Sequence, residues 1–316
     1  MLLPVGKFKS ILRCPITKNS LDLELDIIFS KPPVSNVRYY YVNGTPILID
    51  FEKSIFELES IKGQKPVVSR SRSGKYLSTI KSILFPTSRI TIKNVSRIWQ
   101  LISTEPRKPR VLIIGGGKIG QGMESFYTSD TCELISLDVY SSDNTNLIAD
   151  AHNIPFKENS FDLIVIQAVL EHVLEPIGVV REIHRVLKPN GYVYAETPFM
   201  QHVHEGAYDF SRFTEVGHRH LFSDFQCLDS GATAGIGHQV LWTIEHLLRA
   251  VFRSHTVGKI ARILFFWVQY FDYVTSNEYN VDTACGVFFI GKKSTTKQTV
   301  REIVQQYKGA QKLHRS

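Results

Sequence analysis

Cysteine is scarce in this chain and never clustered. Its four cysteines, Cys14, Cys132, Cys227 and Cys285, form no CxxC. That speaks against a disulfide framework and a zinc ribbon, and suits a reducing cytoplasm. Long apolar runs are also missing. The strongest, ILFFWVQYF at Ile263–Phe271, is broken by Gln269 and falls well short of the ~20 residues of a membrane span. Met1 to Cys14 has neither the apolar core nor the small-residue cleavage site of a secretory signal. There is no low-complexity tract and no internal repeat. Acid is nearly absent from one region: between Lys62 and Arg110, 12 Lys/Arg stand against Glu105 alone, so the remainder of a chain of net charge +7 is net negative.

What is present is ordinary in bulk. A hydrophobic content of 43% in 316 residues allows one large soluble domain plus a small one. The basic segment suits phosphate-bearing partners, whether nucleic acid, anionic lipid or a diphosphate-linked substrate, or else a solvated connector. Residues 1–52 read as a small β-rich unit, with Asn43-Gly44 as a hairpin turn between strand-like runs. Residues 53–94 read as a basic linker with helical patches, and "KPVVSRSRSGK" (Lys65–Lys75) as its loose, exposed part. A short helix near Val95–Ser103 opens the main domain, 95–295, and 296–316 reads as a charged tail.

From Arg110 the pattern changes. RVLIIGG (Arg110–Gly116), ELISLD (Glu133–Asp138), LIAD (Leu147–Asp150), FDLIVIQAV (Phe161–Val169) and GYVYAETP (Gly191–Pro198) read as five strands, with GVFFIGKK (Gly286–Lys293) as a late one. Strands alternating with helices imply a doubly wound, mostly parallel α/β sheet covered on both faces. Ligands of such sheets sit beyond the carboxyl ends of the strands. After the first strand, Gly115, Gly117 and Gly120 fit GxGxxG, and Asp138 closes the next strand. Glycines let the backbone approach a ligand, and the acid can accept from ribose hydroxyls. This much indicates a nucleoside-containing cofactor, or else only a tight strand-to-helix turn.

The blocks VLIIGGGKIGQG, ADAHNIPFKENSFDLIVIQAVLEHVLEP and REIHRVLKPNGYVYAETP resemble the class I methyltransferases that use S-adenosylmethionine. The resemblance covers roughly 110–293. It implies a seven-stranded Rossmann-like sheet. It also implies that Asp150 meets the adenine amino group, that Ala151 and His152 line the ring, and that Gln167 and Ala168 face the methionine part. Asn190 stands where the family's LKPGG turn has glycine, which asparagine tolerates in left-handed geometry. The unit 1–52 resembles, through LRCP (Leu12–Pro15) and NGTPILID (Asn43–Asp50), the zinc-ribbon-like activator of tRNA methyltransferases. Cys14 is the one cysteine it keeps, so no zinc is expected. One departure stands out: eight residues, Val139–Asn146, join the second and third strands, too few for the usual crossover helix. The adenine side of the pocket is therefore either more open than usual or covered by another part of the chain.

The stretch ETPFMQHVHEGAYDFSRFTEVGHRHLF after the fifth strand resembles a methyltransferase subgroup found with bacterial cell-surface polysaccharide biosynthesis. It holds the pairs His202/His204 and His218/His220. Three readings compete. The pairs could ligate a metal with Glu205 or Asp209, although methyl transfer from a sulfonium needs none, and no metal is expected. His204 first, then His202 and Asp209, are candidates for the base that takes a proton from a sugar hydroxyl. Alternatively the histidines pin the loop through carbonyls, Tyr208 or Arg212; Tyr208 and Arg212 are also candidates for acceptor binding. His172 reads as cofactor-adjacent. The expected function is methyl transfer to a small-molecule, sugar or glycan-related acceptor, in the cytoplasm or peripheral to the inner membrane. A membrane-surface contact through the amphipathic Val240–Tyr273 is the route to that last possibility. The alternatives are a tRNA or RNA methyltransferase, a nicotinamide dehydrogenase and a non-catalytic cofactor-binding scaffold. Nucleic acid is the less favoured partner because Tyr76, Phe85 and Trp99 are widely spaced for base stacking.

Overall fold

The computed structural model describes residues 1–24, 27–30, 37–63, 87–104 and 106–311. Most of the loose basic stretch, with Lys65–Lys75, Tyr76 and Phe85, lies outside them. The twelve strands among the described residues are β1 (Leu21–Glu24), β2 (Ile27–Ser30), β3 (Arg38–Tyr39), β4 (Tyr41–Val42), β5 (Thr45–Leu48), β6 (Arg110–Ile114), β7 (Glu133–Asp138), β8 (Leu147–Ala149), β9 (Phe161–Gln167), β10 (Leu187–Pro198), β11 (Phe225–Ala234) and β12 (Gly286–Lys293). β1–β3 make a small antiparallel sheet, and the other nine form one sheet in the order β11-β12-β10-β9-β6-β7-β8-β5-β4. Its centre, β10-β9-β6-β7-β8, is parallel, while β12 pairs antiparallel with both β10 and β11.

The alternation expected of a sheet covered on both faces is visible in β6. Leu112 and Ile114 enter one apolar cluster, Val111 and Ile113 the other. The first face is covered by the helix Pro176–Val186 through Val179, Ile183 and Val186. The second is covered by the helix Arg89–Ile102 through Val95, Ile98 and Ile102. Both sets fall at three- and four-residue spacing, one stripe of a helix. The second helix starts six residues before the expected Val95, because the Ser88 side chain caps it by accepting from the Ile90 and Thr91 amides. The LKPNG turn interrupts the β9–β10 register between Leu187 and Tyr192, with Asn190 at φ 65°.

Three features add to these expectations. The seven strands β6–β12 are present, but the sheet has nine, because the hairpin turning at Asn43-Gly44 adds β5 and β4 to its edge. β5 runs parallel to β8, with Ile47 opposite Ile148 and Leu48 opposite Ala149. Phe8, Leu12 and Leu48 are fully buried in the same cluster as Leu112 and Ile135, so residues 1–52 share the core of the main sheet. Helical patches were expected in 53–94, and among its described residues Leu58–Lys62 is helical with Ile61 buried, while Arg89 already belongs to a packed helix. The segment expected as a charged tail, 296–316, contains regular structure among its described residues. Val300–Gln305 is a helix with a capping box between Thr299 and Glu302, and it buries Ile303. Its Ile303 carbonyl accepts from the wholly buried Arg219, which pairs with Glu215 at 2.8 Å.

Leu48→Ala should therefore lower stability by about 2–4 kcal/mol, as large-to-small changes in packed cores do. All three tryptophans lie outside residues 1–63. In urea titrations the tryptophan fluorescence midpoint should shift with this variant; an unmoved midpoint would mean that the N-terminal unit folds by itself.

Candidate functional site

The carboxyl ends of β6, β7, β8 and β9 meet at one cavity of about 270 Å³. At the end of β6, Gly115 takes φ 79°, and a Cβ there would stand 2.2 Å from Val169 Cγ2. Only glycine leaves this wall open. At the end of β7, one Asp138 oxygen accepts the Gly117 amide at 2.7 Å and the other the Tyr140 amide at 3.2 Å. The acid is thus aimed by backbone on both sides. Just past β8, Asp150 caps the turn Ala151–Asn153. It accepts from His152 Nδ1 at 2.6 Å and from Ser54 Oγ at 2.5 Å. Burial pushes the Asp150 carboxyl up, but the hydrogen bonds from His152 and Ser54 outweigh it and hold the acid below its ordinary value. The same contact raises His152.

Among the residues expected at the cofactor, Gly115, Asp138, Asp150, Ala151, His152 and Ala168 line the cavity. Ala168 does so with φ 53°, an unusual geometry for a residue with a side chain. Gly117 serves the cavity at one remove, by orienting Asp138. Gly120 and Gln167 turn away from it. The Gln167 amide donates to Glu196 at 2.6 Å and to the Gln121 carbonyl at 3.2 Å. Gly120 makes room for that amide, since a Cβ would fall 1.8 Å from its oxygen. Glu196 is buried, is raised by burial, and also accepts from Thr91 and Tyr194. Gln167 therefore satisfies a buried acid beneath the site.

Of the residues expected in the loop after β10, His204 and Tyr208 line the cavity, with Glu205 beside them. His202 does not: its ring stacks on His246 with centroids 4.4 Å apart. Asp209 and Arg212 do not reach the cavity either. Arg212 grips Asp209 with two nitrogens and also donates to the carbonyls of Gln201, Ser211 and His202. These Arg212 bonds hold Asp209 at about 2, which makes it a poor base near neutrality. The pair braces the loop, and Asp209 also accepts the His204 amide at 3.0 Å. The expected roles of Asp209 as base and Arg212 as acceptor clamp give way to this internal pairing.

Two features were not legible in the sequence. Ile55 and Phe56 line the cavity, and Phe56 stacks on Tyr208 with planes 8° apart, so the N-terminal region roofs the site. Glu171, at the start of LEHV, is wholly buried, and burial pushes it up to about 8. Its backbone carbonyl accepts the Phe210 and Ser211 amides, which ties the loop to β9. The neighbouring His172 lines the cavity, donates through Nδ1 to the Tyr208 carbonyl at 2.7 Å, and is lowered by burial. It therefore stays neutral with its second nitrogen free of that bond.

His218 does not line the cavity. It is 1% exposed, lies against Phe222 and Phe289, and neither ring nitrogen has a partner. Burial pushes it down to about 3. The folded state then refuses a proton that the unfolded chain accepts. Its contribution is complete above the unfolded value near 6.5 and is lost as pH falls toward 3, by at most ~1.4 kcal/mol per pH unit. Urea unfolding of His218→Leu and wild type at pH 6.5 and 5.0 should show the variant losing about 2 kcal/mol less on acidification. Equal losses would mean that another group carries the acid sensitivity.

Comparison with known proteins bears on the same strands. Residues 125–195, from the helix before β7 to the middle of β10, match a family described as methyltransferase domain. A demethylmenaquinone methyltransferase of Staphylococcus epidermidis is 36% identical over 78 residues, which cover 24% of this chain and 32% of that protein. A malonyl-[acyl-carrier protein] O-methyltransferase of Marinomonas is 36% identical over 55 residues, 17% of this chain and 20% of that protein. The chain thus spans a third or less of these curated relatives. The solved phosphoethanolamine N-methyltransferase 2 of Haemonchus contortus, in complex with S-adenosyl-L-methionine, is 17% identical with a TM-score of 0.42, covering 69% of this chain and 56% of that one. The segment that resembles a methyltransferase domain, residues 125–195, thus runs through the parallel part of the sheet that bounds the cavity.

Proposed function

We propose that the protein is an S-adenosylmethionine-dependent methyltransferase acting on a sugar or glycan-related acceptor. The observation that carries this reading is the joining of Asp138, Asp150 and His204 on one cavity from three separate parts of the chain. The residues suit that cofactor. Asp138 is positioned to accept from ribose hydroxyls, Ala151 and His152 form a small-sided wall beside Asp150, and Gly115 with Ala168 leaves room for a methionine chain. The cofactor supplies an electrophilic methyl on a sulfonium. His204, which lines the cavity with His172 beside it, assists loss of the acceptor hydroxyl's proton as its oxygen attacks. Phe56 and Tyr208 exclude water above them. The products are a methyl ether, S-adenosylhomocysteine and a proton.

A glycan-type acceptor is favoured by the loop after β10, whose sequence resembles that of the polysaccharide-linked subgroup and which presents His204. A lipid-linked form of such an acceptor is favoured by the surface next to it. The segments Ile236–Val251, His255–Leu264 and Phe266–Tyr273, with the turn between the first two, expose Leu247, Phe252, Leu264, Trp267 and Phe271, each at least half accessible, beside exposed Arg253 and Lys259. Among the described residues no helix is long and apolar enough to cross a membrane. This surface instead has the make-up of one that lies on anionic lipid.

Calorimetry with S-adenosylhomocysteine tests the cofactor. Wild type and His204→Ala should bind alike, and Asp138→Ala should bind about 10–100-fold more weakly, the range for a lost hydrogen bond to a charged group. No heat with wild type would refute the reading. Labelled methyl should pass to nucleotide-sugar or lipid-linked glycan pools, with turnover of His204→Ala down about 10²–10⁴-fold. Transfer to tRNA alone would overturn the acceptor. In vesicle sedimentation the protein should bind anionic but not neutral vesicles, and Phe252→Glu with Leu264→Glu should abolish this; equal binding by the double variant would remove the membrane role.

A further inference from the structure

Glu171 sits in a place where a carboxylate is hard to explain by packing alone. Its side chain is 1% exposed, and neither carboxyl oxygen has a hydrogen-bond partner. A buried polar group left unpaired is costly and calls for a ligand that satisfies it. Two imidazoles face it. His172 Nε2 lies 3.6 Å from Glu171 Oε1, and His204 Nε2 lies 3.9 Å from the same atom. One donor atom from each of the three residues falls within 4.8 Å of the others.

The far sides of both rings are already committed. His172 Nδ1 bonds the Tyr208 carbonyl at 2.7 Å. His204 Nδ1 lies 3.2 Å from the His202 carbonyl and 3.6 Å from an Asp209 oxygen. Carbonyl and carboxylate acceptors behind the rings fix the tautomer that points a lone pair from each Nε2 toward Glu171. Histidines that ligate metals are oriented in the same way. The Asp209–Arg212 pair thereby gains a purpose, since it holds the acceptors behind His204.

We propose that Glu171, His172 and His204 form a binding site for a divalent transition-metal ion, with two imidazole nitrogens and one carboxylate as protein ligands. This donor set suits zinc, manganese, iron(II) or cobalt(II). Donors on a shared ion at ~2.0–2.2 Å stand closer together than the present separations of 3.6 and 3.9 Å to Glu171 and up to 4.8 Å overall, so the site closes by up to about an ångström on loading, through the loop that carries His204. His172 and His204 also line the cavity, so the ion's open position faces the acceptor. Its catalytic role, unlike its binding, rests on the methyl-transfer reading. An acceptor hydroxyl bound at the open position loses its proton to solvent more readily. The O–CH₃ bond then forms as the S–CH₃ bond breaks, with the electron pair remaining on sulfur, and the imidazoles position the ion in place of accepting the proton themselves.

Metal-stripped full-length protein titrated with cobalt(II) should show one equivalent of a visible ligand-field band, and zinc should displace it. Glu171→Gln and His204→Ala should each weaken binding at least tenfold, and His202→Ala, whose ring faces His246, should bind like wild type. S-adenosylhomocysteine calorimetry on the same samples reports the fold and the cofactor site separately, so a failure of the metal site is distinguishable from a failure of the methyltransferase reading. No stoichiometric band in wild type, or a band unchanged in both Glu171→Gln and His204→Ala, would overturn the proposal.

Discussion

The pairing of β5 against β8 is the contact on which the cavity depends. The eight residues between β7 and β8 are too few for a crossover helix, so β8 would otherwise end the sheet as a bare edge strand. Such an edge exposes unpaired backbone groups and leaves apolar side chains such as Ile148 in water. The N-terminal hairpin supplies the missing partner. Ile47 and Leu48 align with Ile148 and Ala149, and the chain leaving β5 then carries Ser54 to Asp150 and Phe56 to Tyr208. One strand pairing thus closes the sheet, orients an acid at the cavity and roofs the site.

Around that frame, polar groups divide into those that face the cavity and those that support it. Asp138 is aimed by two amides, and Asp150 by a hydroxyl and an imidazole. Beneath them Gln167, Glu196, Tyr194 and Thr91 form a buried network that fixes the ends of β9 and β10. Above them Arg212 neutralises Asp209 and ties four points of the loop together. Charges in such places are tolerated because each meets a partner. Glu171 departs from this pattern, and the two imidazoles turned toward it make the departure chemically specific.

The division between site and support also explains which residues were misjudged in the sequence. Gly115, Gly117 and Gly120 look equivalent in a GxGxxG pattern, yet one opens the cavity wall, one donates to Asp138 and one leaves space for an amide. Asp209 and Arg212 stand three residues apart in a histidine-rich loop and read as a candidate base and a candidate acceptor clamp, but at that spacing they reach each other. His202 and His204 are two residues apart, yet His202 stacks on His246 and His204 lines the cavity.

Local pattern was enough for the parallel sheet, since alternating apolar residues, glycine turns and acids at strand ends are all short-range features. The cavity's central residues, Gly115, Asp138, Asp150 and Ala168, were legible for the same reason: each follows directly from the end of a strand. Tertiary structure decided the rest. The N-terminal hairpin joins a strand about a hundred residues later, Phe56 meets Tyr208, and His204 converges on Glu171 and His172. Such pairings depend on side chains far apart in sequence becoming neighbours once apolar faces are buried, and no periodicity along the chain records them.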